Sequence, residues 1–228
     1  MILKPDYTGR FPERPHWEID ELEQRCEEIL TPFLESRYGQ PPARVPTQDL
    51  LILIDREAEE LDLHSELIAD RPGEEIHGVT WFFPGAKPKV QINRHLRREF
   101  QRANRYRTTL AHEYGHLILH TWLYDRFHHQ LLQTGVPLCC YSRTVEGGFD
   151  GMTDWMEWQA NYVSGALLMP RWRVELLAQA FGKERGVSVP MADGGIDGQM
   201  LIKRMTSLFD VSSAAARVRL LKLGYLMA

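Results

Sequence analysis

The run His112-Glu113-Tyr114-Gly115-His116 sets two imidazoles four residues apart, with a carboxylate directly after the first. On a helix, residues at that spacing project from one face about one turn from each other, so His112 and His116 can reach a single ion. Glu113 lies about 100° further round, where it can reach a water on that ion rather than the ion itself. The pattern therefore predicts metal-assisted hydrolysis around one Zn2+, with His112 and His116 as ligands and Glu113 as the general base. The ordinary alternative is a polar helix face with solvated histidines. Leu110, Ala111, Tyr114, Leu117, Ile118 and Trp122 argue against it, because they predict a helix packed on its other side and presenting its histidines to a cleft. Gly115 is about 1 kcal/mol worse than Ala inside a helix, so it predicts a second segment in close approach there.

Catalytic zinc takes three protein ligands and keeps one position open, so one ligand remains to be found. A metzincin would carry Gly and His where this chain has Leu119 and Trp122, and that class is rejected. His120 continues the stripe but sits two turns from His112, and reads as a supporting or packing residue. Downstream candidates are Asp125, His128, His129, Cys139, Cys140, Asp150, Asp154 and Glu157. Glu157 fits best, since it opens a helix able to lie against the histidine helix. Asp154-Trp155-Met156-Glu157 also reads as a capping pair, with Asp154 at the N-cap and Glu157 at N3, and spacing leaves both roles open. Thiolates suit zinc, so Cys139 and Cys140 are conceivable inhibitory ligands; free cysteines are more often simply buried.

The surrounding elements must hold these groups. Residues 1–16, with Pro5, Pro12 and Pro15, predict an extended arm with little order. Helical spacing runs over residues 17–38 and again over 47–61, capped by Thr47. Period-2 alternation between residues 75 and 93, broken at Pro84-Gly85, predicts a β-hairpin whose edge an extended peptide could join, or an ordinary core sheet. Helical patterns resume at 105–123 and 153–169, ended by Pro170. A loop over residues 182–198 precedes a helical pair over 199–226. The domain reading is a 1–44 arm and helix, a 45–181 zinc-binding core, and a 182–228 loop and helical pair packed on the core.

The 228 residues are 43% hydrophobic with a net charge of -4, enough for a real core and without the broad positive field that wraps nucleic acid. No stretch approaches the roughly 20 apolar residues of a membrane span, and three cysteines, two adjacent, do not make a disulfide framework. A cytoplasmic protein is expected. Lys203, Arg204, Arg217, Arg219 and Lys222 around the turn Asp210-Val211-Ser212 would also suit a DNA-binding helix-turn-helix, but a modest basic patch on a net-acidic chain favours a structural helical pair.

The stretch Arg107-Thr108-Thr109-Leu110-Ala111-His112-Glu113-Tyr114-Gly115-His116-Leu117-Ile118-Leu119-His120, then Glu157-Trp158-Gln159-Ala160-Asn161-Tyr162 and Leu167-Leu168-Met169-Pro170, resembles the ImmA/IrrE-type metallopeptidases. Weaker likeness at Gly78-Val79-Thr80 and from Phe209-Asp210-Val211-Ser212 to Leu223-Gly224 extends it over roughly residues 45 to 225. The resemblance implies Glu157 as the third zinc ligand. It also implies a protein substrate such as a helix-turn-helix transcriptional repressor, and an α+β, mostly helical zincin-like domain with a small β-sheet and a C-terminal helical pair. The alternative function is a non-proteolytic zinc-containing regulator that binds a repressor or DNA through the C-terminal pair. The chain departs from the family in its long segment between the two motifs, which holds Cys139, Cys140 and Gly147-Gly148.

Overall fold

A computed structural model of the chain describes residues 1–98, 102–134, 139–144 and 154–227. It is an α+β structure, mostly helical, and divides into two compact units: Met1–Leu22 with Thr47–Ser164, and Glu23–Pro46 with Gly165–Ala228.

The first unit opens on a hairpin of β1 (Ile2–Pro5) and β2 (Glu13–His16), antiparallel with Ile2 opposite His16. This corrects the expectation of a little-ordered arm. Proline is tolerated because each strand of a two-stranded sheet is an edge. The Asp6 carboxylate organises the turn by accepting from the backbone N–H of Thr8 and of Phe11, each at 3.0 Å. Phe11 is thereby buried against Tyr124, Phe127 and Trp155.

After α1 (Ile19–Tyr38), α2 runs over Thr47–Glu57 and stops short of Leu61. Residues beyond it form β3 (Glu60–Ser65), which corrects the longer helix. A neighbouring strand supplies the reason: Glu59 N–H donates to the Pro88 carbonyl at 2.8 Å, and Leu61 pairs in parallel with Val90, so tertiary pairing overrides the local helical pattern. β4 (Glu75–Phe83) and β5 (Ala86–Asn93) form the expected hairpin, turning at Gly85 with φ +79°. Next come α3 (His95–Arg98), α4 (Ala103–Arg126), α5 (His128–Thr134) and β6 (Cys139–Thr144). Sheet order is β3-β5-β4-β6, so both hairpin strands are interior and the hairpin is not itself an edge for a peptide. Among the described residues the edges are β3 and β6.

Helix α6 (Trp155–Leu168) carries the second motif. Its expected start at Thr153, the Gly147-Gly148 turn and Asp150 lie outside the described residues. In the second unit, Pro170 precedes α7 (Arg171–Arg185), and proline suits a helix start because the first N–H groups there have no intrahelical partner. α7 and the short β7 (Met191–Ala192) occupy part of the expected loop. The helical pair follows as α8 (Ile196–Phe209) and α9 (Ser213–Lys222), joined through Asp210 at φ 56° and capped by the Ser212 hydroxyl, which accepts from Ala215 N–H at 3.1 Å. β8 (Leu226–Met227) pairs in parallel with β7. Among the described residues no helix is long and apolar enough to cross a membrane.

Candidate metal centre

The histidine stripe lies on α4, and the structure encloses it. His112 is 3% exposed, while Glu113, His116 and His120 are fully buried. This corrects the expectation of a helix packed on one side only. β4 covers one side and α6 another, and small residues permit both approaches. A Cβ on Gly115 would stand 3.1 Å from the Cα of Ala160 on α6, the close neighbour that a mid-helix glycine predicts. A Cβ on Gly78 of β4 would stand 2.5 Å from Oε1 of Glu113.

Three side chains converge. His112 Nε2 is 3.0 Å from His116 Nε2 and 3.1 Å from Glu157 Oε2, and His116 Nε2 is 3.3 Å from Glu157 Oε1. Tetrahedral zinc, with bonds of about 2.0–2.1 Å, separates its ligand atoms by about 3.3 Å, so the donor set and its spacing fit such an ion. Among the described residues this is the group of His, Cys, Asp or Glu side chains arranged to hold a metal. Asp154 caps the helix start, accepting from Met156 N–H at 3.0 Å and from the Arg10 guanidinium at 2.5 Å, while the Glu157 carboxylate faces the two imidazoles.

Two residues of the α6 motif orient the histidines. Asn161 Oδ1 accepts from His112 Nδ1 at 3.1 Å, which leaves the Nε2 of a neutral ring bare toward the other donors. Gln159 lies 3.1 Å from His120 Nε2, and His120 Nδ1 lies 3.0 Å from His116 Nδ1. His120 thus touches His116 and Gln159 and is not one of the three convergent donors. Thr80 was missed by sequence reasoning; its hydroxyl donates to Glu113 Oε2 at 2.7 Å. Its position two residues after a glycine in an alternating strand was the available signal.

The two carboxyl groups are pushed apart in acidity. Burial opposes ionisation of Glu157, but His116 and His112 beside it outweigh this and hold the carboxyl well below its usual range. Burial raises the Glu113 pKa and outweighs the opposing histidines. Among the described residues, Glu113 Oε1 has no hydrogen-bond partner. An ionised carboxylate facing the imidazoles and a separate, more basic one beside them is the division of labour that hydrolysis needs.

The remaining candidates go elsewhere. Asp125 accepts from Gly85 N–H at 2.8 Å, His128 and His129 stack on each other on α5, and Cys140 is buried against the Tyr124 hydroxyl. Cys139 and Cys140 are not among the convergent donors. In the second unit, Arg204 pairs with Glu184, Arg217 with Asp193, and Arg219 is buried against Glu23. Three of the five basic residues noted around the helical pair thus have carboxylate partners.

A family model described as the IrrE N-terminal-like domain, a peptidase family, matches residues 72–221. No curated protein matches the chain. The matched span holds the histidine helix, the hairpin, α6 and the helical pair.

Proposed function

The chain belongs to the IrrE N-terminal-like peptidase family, and we propose that within it the protein is a zinc-dependent metallo-endopeptidase acting in the cytoplasm on a regulatory protein, with a helix-turn-helix repressor as the substrate class. The observation that carries this reading is the convergence of His112, His116 and Glu157 beside a separate buried carboxylate, Glu113, one oxygen of which has no hydrogen-bond partner among the described residues. A zinc ion held there would supply Lewis acidity for the scissile carbonyl and bring a water's pKa toward about 7.

The chain's own groups do the rest. Thr80 holds Glu113 through Oε2, so Oε1 is the atom that takes the proton of the attacking water and returns it to the leaving amine. Glu157 contributes the negative charge, and Asn161 keeps His112 turned with Nε2 inward. Burial of these groups excludes bulk water and strengthens each interaction. An extended peptide would pair along β6, the sheet edge next to β4, with backbone hydrogen bonds giving affinity.

The second reading, a non-proteolytic regulator using the helical pair to bind a repressor or DNA, is disfavoured by the carboxylate partners of Arg204, Arg217 and Arg219. The discriminating experiment incubates the protein with a panel of purified helix-turn-helix repressors, with zinc or with a chelator, and follows fragments by mass spectrometry. Zinc-dependent fragments are expected. Release of a repressor from its operator without fragments would contradict proteolysis.

A further inference from the structure

The N-terminal hairpin lies outside the matched residues 72–221, yet it closes on the start of α6, the helix that carries Glu157. Asp6 accepts from Trp155 Nε1 at 3.0 Å, Arg10 pairs with Asp154 at 2.5 Å, and Gln159 donates through Nε2 to the Pro15 carbonyl on β2 at 2.9 Å. The last contact begins a buried chain. Gln159 Oε1 lies 3.1 Å from His120 Nε2, and His120 Nδ1 lies 3.0 Å from His116 Nδ1.

Proton positions along this chain follow from its far end. A carbonyl can only accept, so Gln159 turns its amide nitrogen to Pro15 and its oxygen to His120. That oxygen also only accepts, so His120 carries a proton on Nε2. His120 is fully buried, its two ring nitrogens taken by an amide and an imidazole. Among the described residues no carboxylate bonds either nitrogen, so a buried charge there would be uncompensated, the ring is neutral and Nδ1 is bare. His116 must then donate from Nδ1, which leaves its Nε2 lone pair facing His112 Nε2 and Glu157. A metal-ligating imidazole needs this tautomer.

We infer that the N-terminal hairpin is a working part of the metal centre: through Gln159 and His120 it holds His116 in the ring orientation and tautomer that free Nε2 to bind the ion. This rests on the reading of His112, His116 and Glu157 as a metal site. His120 and Gln159 are positioning residues, acting on the ion only through His116. Loss of such an outer partner typically costs 10–100-fold in metal affinity.

The first test is long-range 1H–15N correlation spectroscopy of the zinc-free wild-type protein. A proton on His120 Nε2 with bare Nδ1 is expected; the opposite tautomer overturns the inference. The second is zinc affinity by competition with a chromophoric chelator, with folding checked by circular dichroism. His120→Phe and Gln159→Met should each weaken binding roughly 10–100-fold, and the double variant should lose no more than the worse single, because both cut one chain. His120→Gln can accept from His116 and donate to Gln159, and should recover most of the affinity. Folded variants binding zinc like wild type, or losses that multiply in the double variant, would reduce these residues to packing and overturn the inference. A wild-type protein that binds no zinc would instead strike the metal-site reading, and the relay with it.

Discussion

Thr80 donates its hydroxyl to Oε2 of Glu113 at 2.7 Å, while Gly78, two residues earlier on β4, leaves room for Oε1. A Cβ on Gly78 would come within 2.5 Å of that oxygen and 2.9 Å of Thr109 Cγ2. Gly78→Ala therefore displaces the proton acceptor without touching the ligand set. Peptide cleavage is expected to fall by at least roughly 100-fold, the scale of acid–base catalysis, with zinc retained. Thr80→Val removes one hydrogen bond and should cost roughly 10-fold. Turnover and bound zinc measured on the same preparations check both; wild-type turnover in Gly78→Ala would show that Glu113 has no fixed place in the reaction.

Glu157 and Asp154 are expected to take separately the two roles that spacing leaves open. Glu157→Ala removes a group 3.1 and 3.3 Å from the two imidazole nitrogens, and zinc should be lost on dialysis. Asp154→Ala removes the cap on Met156 N–H and the Arg10 partner, so it should lower stability by about 1 kcal/mol while zinc stays. Metal content after dialysis, set beside urea unfolding, separates the two. Full zinc retention in Glu157→Ala would remove it from the ligand set.

The histidine helix was legible because a four-residue spacing of imidazoles and a glycine inside a helix both carry a physical cost or purpose that local sequence displays. Gly115 announced a neighbour, and the neighbour is Ala160. Glu157 could not be assigned from spacing, since N3 of a cap and a ligand position coincide; only the partner helix decides. The hairpin of residues 2–16 was illegible because its order comes from distant partners. Phe11 packs on Tyr124 and Trp155, and Asp6 bonds Trp155, contacts that no local pattern announces. Leu61 failed likewise, being compatible with a helix until β5 claims its backbone.

His77, buried on β4, accepts at Nε2 from Arg105 at 3.1 Å. Burial, and then the charge of Arg105, lowers its pKa from 6.5 to about 4. The unfolded chain thus takes up this proton near pH 6.5 and the folded protein only near pH 4. The stabilisation is complete above the unfolded value and is lost as pH falls from there through the folded one. Between pH 7.5 and pH 5 the loss amounts to about 2 kcal/mol. Urea unfolding at the two pH values should show that difference shrinking by this amount in His77→Gln. An equal pH dependence in both proteins would contradict the assignment.

Arg219 donates to both oxygens of Glu23 at 2.5 and 2.8 Å and, through Nε, to the Met169 carbonyl at 3.0 Å, all within the second unit. Removing Arg219 strips buried Glu23 of two close hydrogen bonds and leaves it the longer contact with Arg171 at 3.9 Å, so Arg219→Met should destabilise by about 3 kcal/mol, and adding Glu23→Leu should restore part of it. Denaturant unfolding measures both. A stable Arg219→Met protein would mean the pair does not hold α9 in place.

A metal held by His112, His116 and Glu157 would work with Glu113 as the proton carrier. Gln at position 113 has nearly the shape of Glu and can still accept from Thr80, but it cannot take a proton. Wild type and Glu113→Gln, each loaded with zinc and assayed for bound metal, would be incubated with a peptide library prepared from a bacterial lysate, and new N-termini counted by mass spectrometry. Equal zinc is expected in the two proteins, with new termini falling at least roughly 100-fold in the variant. Undiminished cleavage by zinc-loaded Glu113→Gln would contradict that role for Glu113.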